Sequence, residues 1–128
     1  MEFPIRTSGV VIHGFGRGSK QLGFPTANLD IHIDNCDNGV FYGYANLPNE
    51  PKQKMVMSIG NNPHFENINK TYEVHILKNY DNDFYGEILT IEILGKIRDM
   101  KKFNSLDELI KAIEEDIEYA INKLNIKI

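Results

Sequence analysis

The chain has 128 residues, 41% of them hydrophobic and 25% charged, which suits one globular domain around a single core and excludes a disordered or fibrous protein. Acidic residues outnumber Lys and Arg by 18 to 14, and the resulting charge of -4 argues against an extended nucleic-acid surface, where phosphate neutralisation dominates affinity. No stretch approaches the roughly 18 apolar residues of a membrane span, Met1 to Arg6 lacks the apolar core of a secretion signal, and the single Cys36 allows no internal disulfide. A cytoplasmic protein without membrane insertion is therefore expected.

The first apolar run, Gly9 to His13, reads as a strand and leads into a loop of unusual composition. Gly14-Phe15-Gly16-Arg17-Gly18-Ser19-Lys20-Gln21-Leu22-Gly23-Phe24-Pro25-Thr26-Ala27-Asn28 holds four glycines, two cations and three short oxygen carriers. Glycines let backbone N–H groups close around an anion, Arg17 and Lys20 add positive charge, and Thr26 and Asn28 offer neutral oxygens to a hard cation. The spacing fits neither the P-loop nor the dinucleotide-binding turn. A plain surface loop and a polyphosphate cradle both remain compatible with these residues.

Leu29-Asp30-Ile31-His32-Ile33-Asp34 alternates as a strand does, so the loop is expected to join two strands and not to open a helix. Further strands are expected at Val40 to Asn46, Met55 to Ile59, Thr71 to Leu77 and Glu87 to Leu94, separated by turn-forming segments such as Asp37-Asn38-Gly39 and Asn61-Asn62-Pro63. Strands that succeed one another without helices favour an antiparallel sheet, and closing it into a barrel removes its edges. On Thr71 to Leu77, Glu73 and His75 share one face while Tyr72, Val74 and Ile76 share the other. A solvated face explains the first pair, and so does a base positioned for group transfer. The four histidines lack metal-ligand spacing, and Cys36 has no neighbouring charge that would activate it.

In the last third the period changes. Leu106, Leu109, Ile110, Ile113, Ile117, Ala120, Ile121 and Leu124 define the apolar stripe of a helix, with a capping box in Ser105-Leu106-Asp107-Glu108 and Lys123 near the far end. Asp107, Glu108, Glu114, Glu115, Asp116 and Glu118 are expected on the opposite, solvated face, so the stripe should pack on the barrel. Arg98-Asp99-Met100-Lys101-Lys102-Phe103 joins the last strand to this helix, either as a charged connector or as a clamp for a flat ligand.

The glycine-rich loop ending in Pro25-Thr26-Ala27-Asn28, with Ser58-Ile59-Gly60-Asn61-Asn62-Pro63, Glu73-Val74-His75-Ile76 and Asp83-Phe84-Tyr85-Gly86-Glu87, resembles riboflavin kinase in order and spacing across nearly the whole chain. The form of the loop is closer to the eukaryotic single-activity enzymes than to bacterial kinase modules fused to an adenylyltransferase. The resemblance implies one domain over residues 1–128, a six-stranded antiparallel Greek-key β-barrel with a C-terminal helix. It also implies transfer of the γ-phosphate of ATP to the 5′-hydroxyl of riboflavin, giving FMN and ADP; a monomer is expected, although no residue pattern fixes the oligomeric state.

Carried onto these positions, the resemblance makes Glu73 the catalytic carboxylate and Thr26 and Asn28 the ligands of Mg²⁺, with Mn²⁺ or Zn²⁺ as other candidates. Gly14, Gly16, Arg17, Gly18, Ser19, Lys20, Gly23, Pro25 and Thr26 would hold the nucleotide phosphates, and Ile76, Lys78 and Tyr85 the adenosine. Arg98, Lys101 and Phe103 would hold the flavin. Glu108 stands where relatives carry a small hydroxyl residue. A non-catalytic flavin- or nucleotide-binding barrel is the alternative from another class, and the acidic balance disfavours a single-strand nucleic-acid binder.

Overall fold

The computed structural model describes residues 1–12, 26–61, 70–78 and 84–125. Six strands, β1 (Ile5–Ile12), β2 (Thr26–Asp30), β3 (Gly39–Asn46), β4 (Gln53–Asn61), β5 (Lys70–Ile76) and β6 (Ile88–Arg98), precede the helix α1 (Leu106–Leu124). They close into a barrel in the order β1-β2-β5-β4-β3-β6, and the registered pairs are all antiparallel. The meander β3-β4-β5 with β6 returning beside β3 is a Greek key, as expected.

Alternation sends one residue in two inward. Val11, Ala27, Leu29, Phe41, Met55, Met57, Ile59, Val74, Ile76, Leu89, Ile91 and Ile93 fill the interior, and each large side chain removed from water contributes roughly 1.5–3 kcal/mol. The barrel closes tightly at β3 and β6, where the register shifts between Tyr42 and Gly43. A Cβ on Gly43 would lie 1.8 Å from the Glu92 carbonyl oxygen, so no other residue fits there without moving the backbone.

Several boundaries differ from the sequence reading; β4 extends beyond Met55 to Ile59 at both ends, to Gln53–Asn61. β1 begins at Ile5, and β6 runs on to Arg98, so Arg98 ends a strand and does not lie in the connector. The alternation after Asp30 is not a strand either. Ile31 and Ile33 pack against the barrel core, the Ile33 N–H donates to the Tyr72 hydroxyl at 3.2 Å, and Lys70 donates to the Cys36 carbonyl. The segment therefore alternates because it lies against the core, not because it joins a ladder. Cys36 is buried there, and burial pushes its thiol up against the opposing charge of Lys70.

The helix begins with half of the expected capping box: Ser105 accepts from the Glu108 N–H at 3.2 Å, but the Glu108 carboxylate accepts at 3.0 Å from the N–H of Asn104, one residue before the cap, and not from that of Ser105. Its apolar stripe divides in two. Ala120 and Ile117 pack on Val40, Val56, Tyr42 and Ile97 of the outer barrel wall, and Tyr119 meets Tyr42 edge-on with centroids 5.9 Å apart. The N-terminal half is less covered, with Leu106 52% and Leu109 36% exposed. Asp116, expected on the solvated face, is only 4% exposed. It receives both Nε and Nη2 of Arg98 at 2.8 Å, a fork that ties β6 to the helix.

Candidate active site

A continuous belt of paired residues crosses the outer wall. Ile12 on β1 pairs with Asn28 on β2, Asn28 with Glu73 on β5, Glu73 with Ser58 on β4, Ser58 with Val40 on β3, and Val40 with Arg98 on β6. One step along, Thr26 pairs with His75, His75 with Val56, and Val56 with Tyr42. The helix covers Val40, Val56 and Tyr42. Beyond its edge, Thr26, Asn28, Glu73 and Ser58 remain half-buried, forming a polar patch on β2, β5 and β4.

Glu73 sits at the centre of that patch with its side chain 38% exposed, enough to meet a ligand. His75 Nε2 lies 3.6 Å from Glu73 Oε1. Asn28 faces Glu73 directly, at the about 5 Å Cβ separation of a cross-strand pair. Thr26 is two residues away on the same face, about 7 Å along the strand. The Thr26-Ala27-Asn28 segment is thus not the end of a loop but the start of β2, whose ladder fixes both side chains. Among the described residues no three His, Cys, Asp or Glu side chains gather as a metal cluster. Thr26 and Asn28 offer uncharged oxygens, which suit a hard cation that arrives already bound to phosphate.

On the other side of Glu73 the surface turns apolar. The Ser58 hydroxyl points to Met100 Sδ at 3.8 Å, and a Cβ on Gly60 would stand 3.5 Å from the Met100 methyl, so the connector lies beside the belt. Met100 is exposed, as are Leu106 and Leu109 in the first turn of α1. Ser58, Met100, Leu106 and Leu109 were not among the expected site residues. The helical stripe named the two leucines but assigned them to packing.

The remaining expected residues fall in different places. Arg98 Nε and Nη2 are engaged by Asp116, Nη1 donates to the Asp99 carbonyl at 3.1 Å, and the guanidinium lies 5.7 Å from the centroid of the half-buried Phe103 ring. Lys101 is exposed on the same connector. Ile76 is fully buried in the barrel core, whereas Lys78 and Tyr85 are exposed. Gly14, Gly16, Arg17, Gly18, Ser19, Lys20, Gly23 and Pro25 lie outside the described residues. No helix among the described residues is long and apolar enough to cross a membrane.

Comparison with known proteins bears on the fold and the family. The family model for riboflavin kinase, or flavokinase, matches residues 1–124. The riboflavin kinases of Mus musculus and Homo sapiens are each 46% identical over 128 residues, an alignment covering 96% of this chain and 83% of the relative. A solved riboflavin kinase from Trypanosoma brucei superposes with a TM-score of 0.72 at 30% identity, over 94% of this chain and 77% of that one. A Streptococcus pneumoniae structure described as a macrolide-efflux protein gives 0.78 at 34% identity, over 93% of this chain but only 39% of that one.

These matches place the chain among the ATP-dependent phosphotransferases. It belongs to the riboflavin kinase family.

Proposed function

We propose that the chain transfers the γ-phosphate of ATP to the 5′-hydroxyl of riboflavin, giving FMN and ADP, with Glu73 as the base and Thr26 and Asn28 as ligands of Mg²⁺. The observation that carries this reading is the direct pairing of Asn28 with Glu73, with Thr26 two residues along β2 and the exposed Met100 against Ser58, the partner of Glu73 on β4. This pairing supports the reading because it puts two oxygen-bearing side chains that could meet a metal-bound phosphate beside a carboxylate, with an exposed apolar side chain, Met100, against the neighbouring strand position.

The chemistry follows from weak acidity. A primary alcohol does not ionise at neutral pH, so the Glu73 carboxylate orients the ribityl hydroxyl and takes its proton as oxygen bonds to the γ-phosphorus and the bond to the bridging oxygen of ADP breaks. General base assistance of this kind contributes typically ~10²- to 10⁴-fold. A bound Mg²⁺ would offset the charge that spreads over the phosphate oxygens in a largely dissociative transition state. Thr26 and Asn28 would orient that ion from fixed strand positions. Met100, Leu106 and Leu109, with Phe103 and Lys101 on the connector, would accept the flavin ring and keep competing water away from the transferred group.

The test is FMN formation from riboflavin and MgATP by the purified protein. Glu73→Gln keeps the shape of the side chain and removes its basicity, and the expected result is a fall in kcat of about 10²-fold or more with little change in either KM. A loss below about tenfold would remove Glu73 from the role of base.

A further inference from the structure

Two residues beyond the proposed base, on the same face of β5, stands a side chain to which the reaction so far gives no task. His75 is only 8% exposed although it points outward from the barrel. Its backbone is fixed on both sides, by Thr26 across the β2 ladder and by Val56 across the β4 ladder. Val56 is itself buried beneath the helix, so the imidazole occupies a site with little water. A polar ring placed there costs free energy unless its nitrogens find partners.

The two nitrogens are not equivalent. Nδ1 is buried without a hydrogen-bond partner among the described residues, while Nε2 lies 3.6 Å from Glu73 Oε1. An orphaned N–H is rarer in folded proteins than an under-used lone pair. The proton therefore belongs on Nε2, which makes that nitrogen the donor and leaves Nδ1 a bare acceptor. The distance is slightly too long for a hydrogen bond, and a small rotation of either side chain closes it. Such looseness is common in catalytic pairs before substrate is bound.

We infer that His75 is a positioning residue for Glu73, its Nε2–H fixing Oε1 so that Oε2 is presented to the acceptor hydroxyl. This rests on the reading of Glu73 as the base. A carboxylate on a flexible two-carbon stem samples several rotamers, of which few aim a lone pair at the attacking alcohol. A donor locked between two ladders selects among them without touching substrate. Loss of the donor should then lower kcat while leaving the substrate sites intact.

The test uses turnover of riboflavin and MgATP by wild type and by His75→Leu, His75→Asn, His75→Gln, Glu73→Gln and the Glu73→Gln/His75→Leu double variant. His75→Leu is expected to lose about 10- to 100-fold in kcat, the range seen when an orienting partner is removed from a functional side chain. Both KM values should stay within about threefold. His75→Gln carries an N–H close to the Nε2 position and is expected to recover most of the loss. His75→Asn carries its nitrogen near the Nδ1 position and should recover little.

In the Glu73→Gln background, His75→Leu is expected to cost less than about threefold more, because a positioning residue has nothing left to position. Equal rates for the Gln and Asn variants would overturn the inference, and so would independent, multiplying losses in the double variant. If the Leu variant does not fold, the Gln and Asn comparison decides alone, with at least a tenfold difference in favour of Gln required. A Glu73→Gln enzyme as fast as wild type would instead overturn the base assignment and this inference with it.

Discussion

Asn28 and Glu73 are direct partners across the β2–β5 ladder. The proposed cation ligand and the proposed base thus stand on adjacent strands, at a spacing set by backbone hydrogen bonds and not by the glycine-rich loop that precedes β2. In-line transfer is sensitive to misplacement of about 1 Å, and a closed barrel is a more rigid support than a loop.

Removing the neutral oxygens should therefore separate nucleotide use from flavin binding. Thr26→Ala and Asn28→Ala are expected to raise the KM for MgATP by about tenfold and to lower kcat, as loss of ligands to a substrate-borne ion does. Riboflavin affinity, followed by the change in flavin fluorescence without nucleotide, should stay within about twofold of wild type. A parallel loss of both affinities would mean that these side chains shape the patch and do not hold an ion.

The exposed leucines of α1 give the complementary prediction. Leu106 and Leu109 are exposed, so Leu106→Ser and Leu109→Ser should leave the thermal midpoint within about 2 °C of wild type. If flavin covers them, each loses about 1 kcal/mol of apolar contact, and the KM for riboflavin rises about fivefold while that for MgATP does not change. Unchanged riboflavin KM in both variants would place the ring elsewhere.

What the sequence made legible, and what it did not, follows the range of the interactions. Period-two alternation put Glu73 and His75 on one face, and Ser105 to Glu108 marked the helix start, because these signals lie within a few residues. The pairing of Asn28 with Glu73 joins segments 45 positions apart, as their numbers show, and depends on the way the barrel closes. Asp116 looked like one acid among several on α1. Its burial is visible only with Arg98, 18 residues upstream, laid against it. The split of the helical stripe was equally hidden, since periodicity shows which face is apolar but not how far the wall beneath it extends.

The Arg98–Asp116 fork predicts an asymmetry between single and double substitution. Asp116→Ala leaves the half-buried Arg98 guanidinium without its carboxylate partner, an expected cost of about 1–3 kcal/mol in unfolding free energy. The Arg98→Met/Asp116→Leu double variant should recover most of that stability, because apolar side chains of similar size avoid desolvating two charges. Denaturant unfolding measures both. Recovery of stability with a still-raised KM for riboflavin would show that Arg98 also serves the flavin, through the connector it holds at Asp99.

The last prediction concerns acid. On the outer wall, where β6 lies between β1 and β3, Arg6 Nε lies 2.6 Å from Glu92 Oε2 and Lys52 Nζ 3.4 Å from Oε1. The hydrogen bond from Arg6 holds the Glu92 carboxyl below its ordinary range, with help from the charge of Lys52 and against the effect of burial. A folded-state value below the unfolded one means that stabilisation is complete above about pH 4.3 and is lost as pH falls through the lower folded value. Arg6 and Lys52 are more than half exposed, so the contribution is on the order of 0.2–1 kcal/mol. Glu92→Gln should lower the thermal midpoint by about 1–5 °C at pH 7, and the gap to wild type should close as both are titrated toward about pH 3. A gap that stays constant over this range would show that Glu92 acts through packing on Tyr44, its partner on β3, and not through its charge.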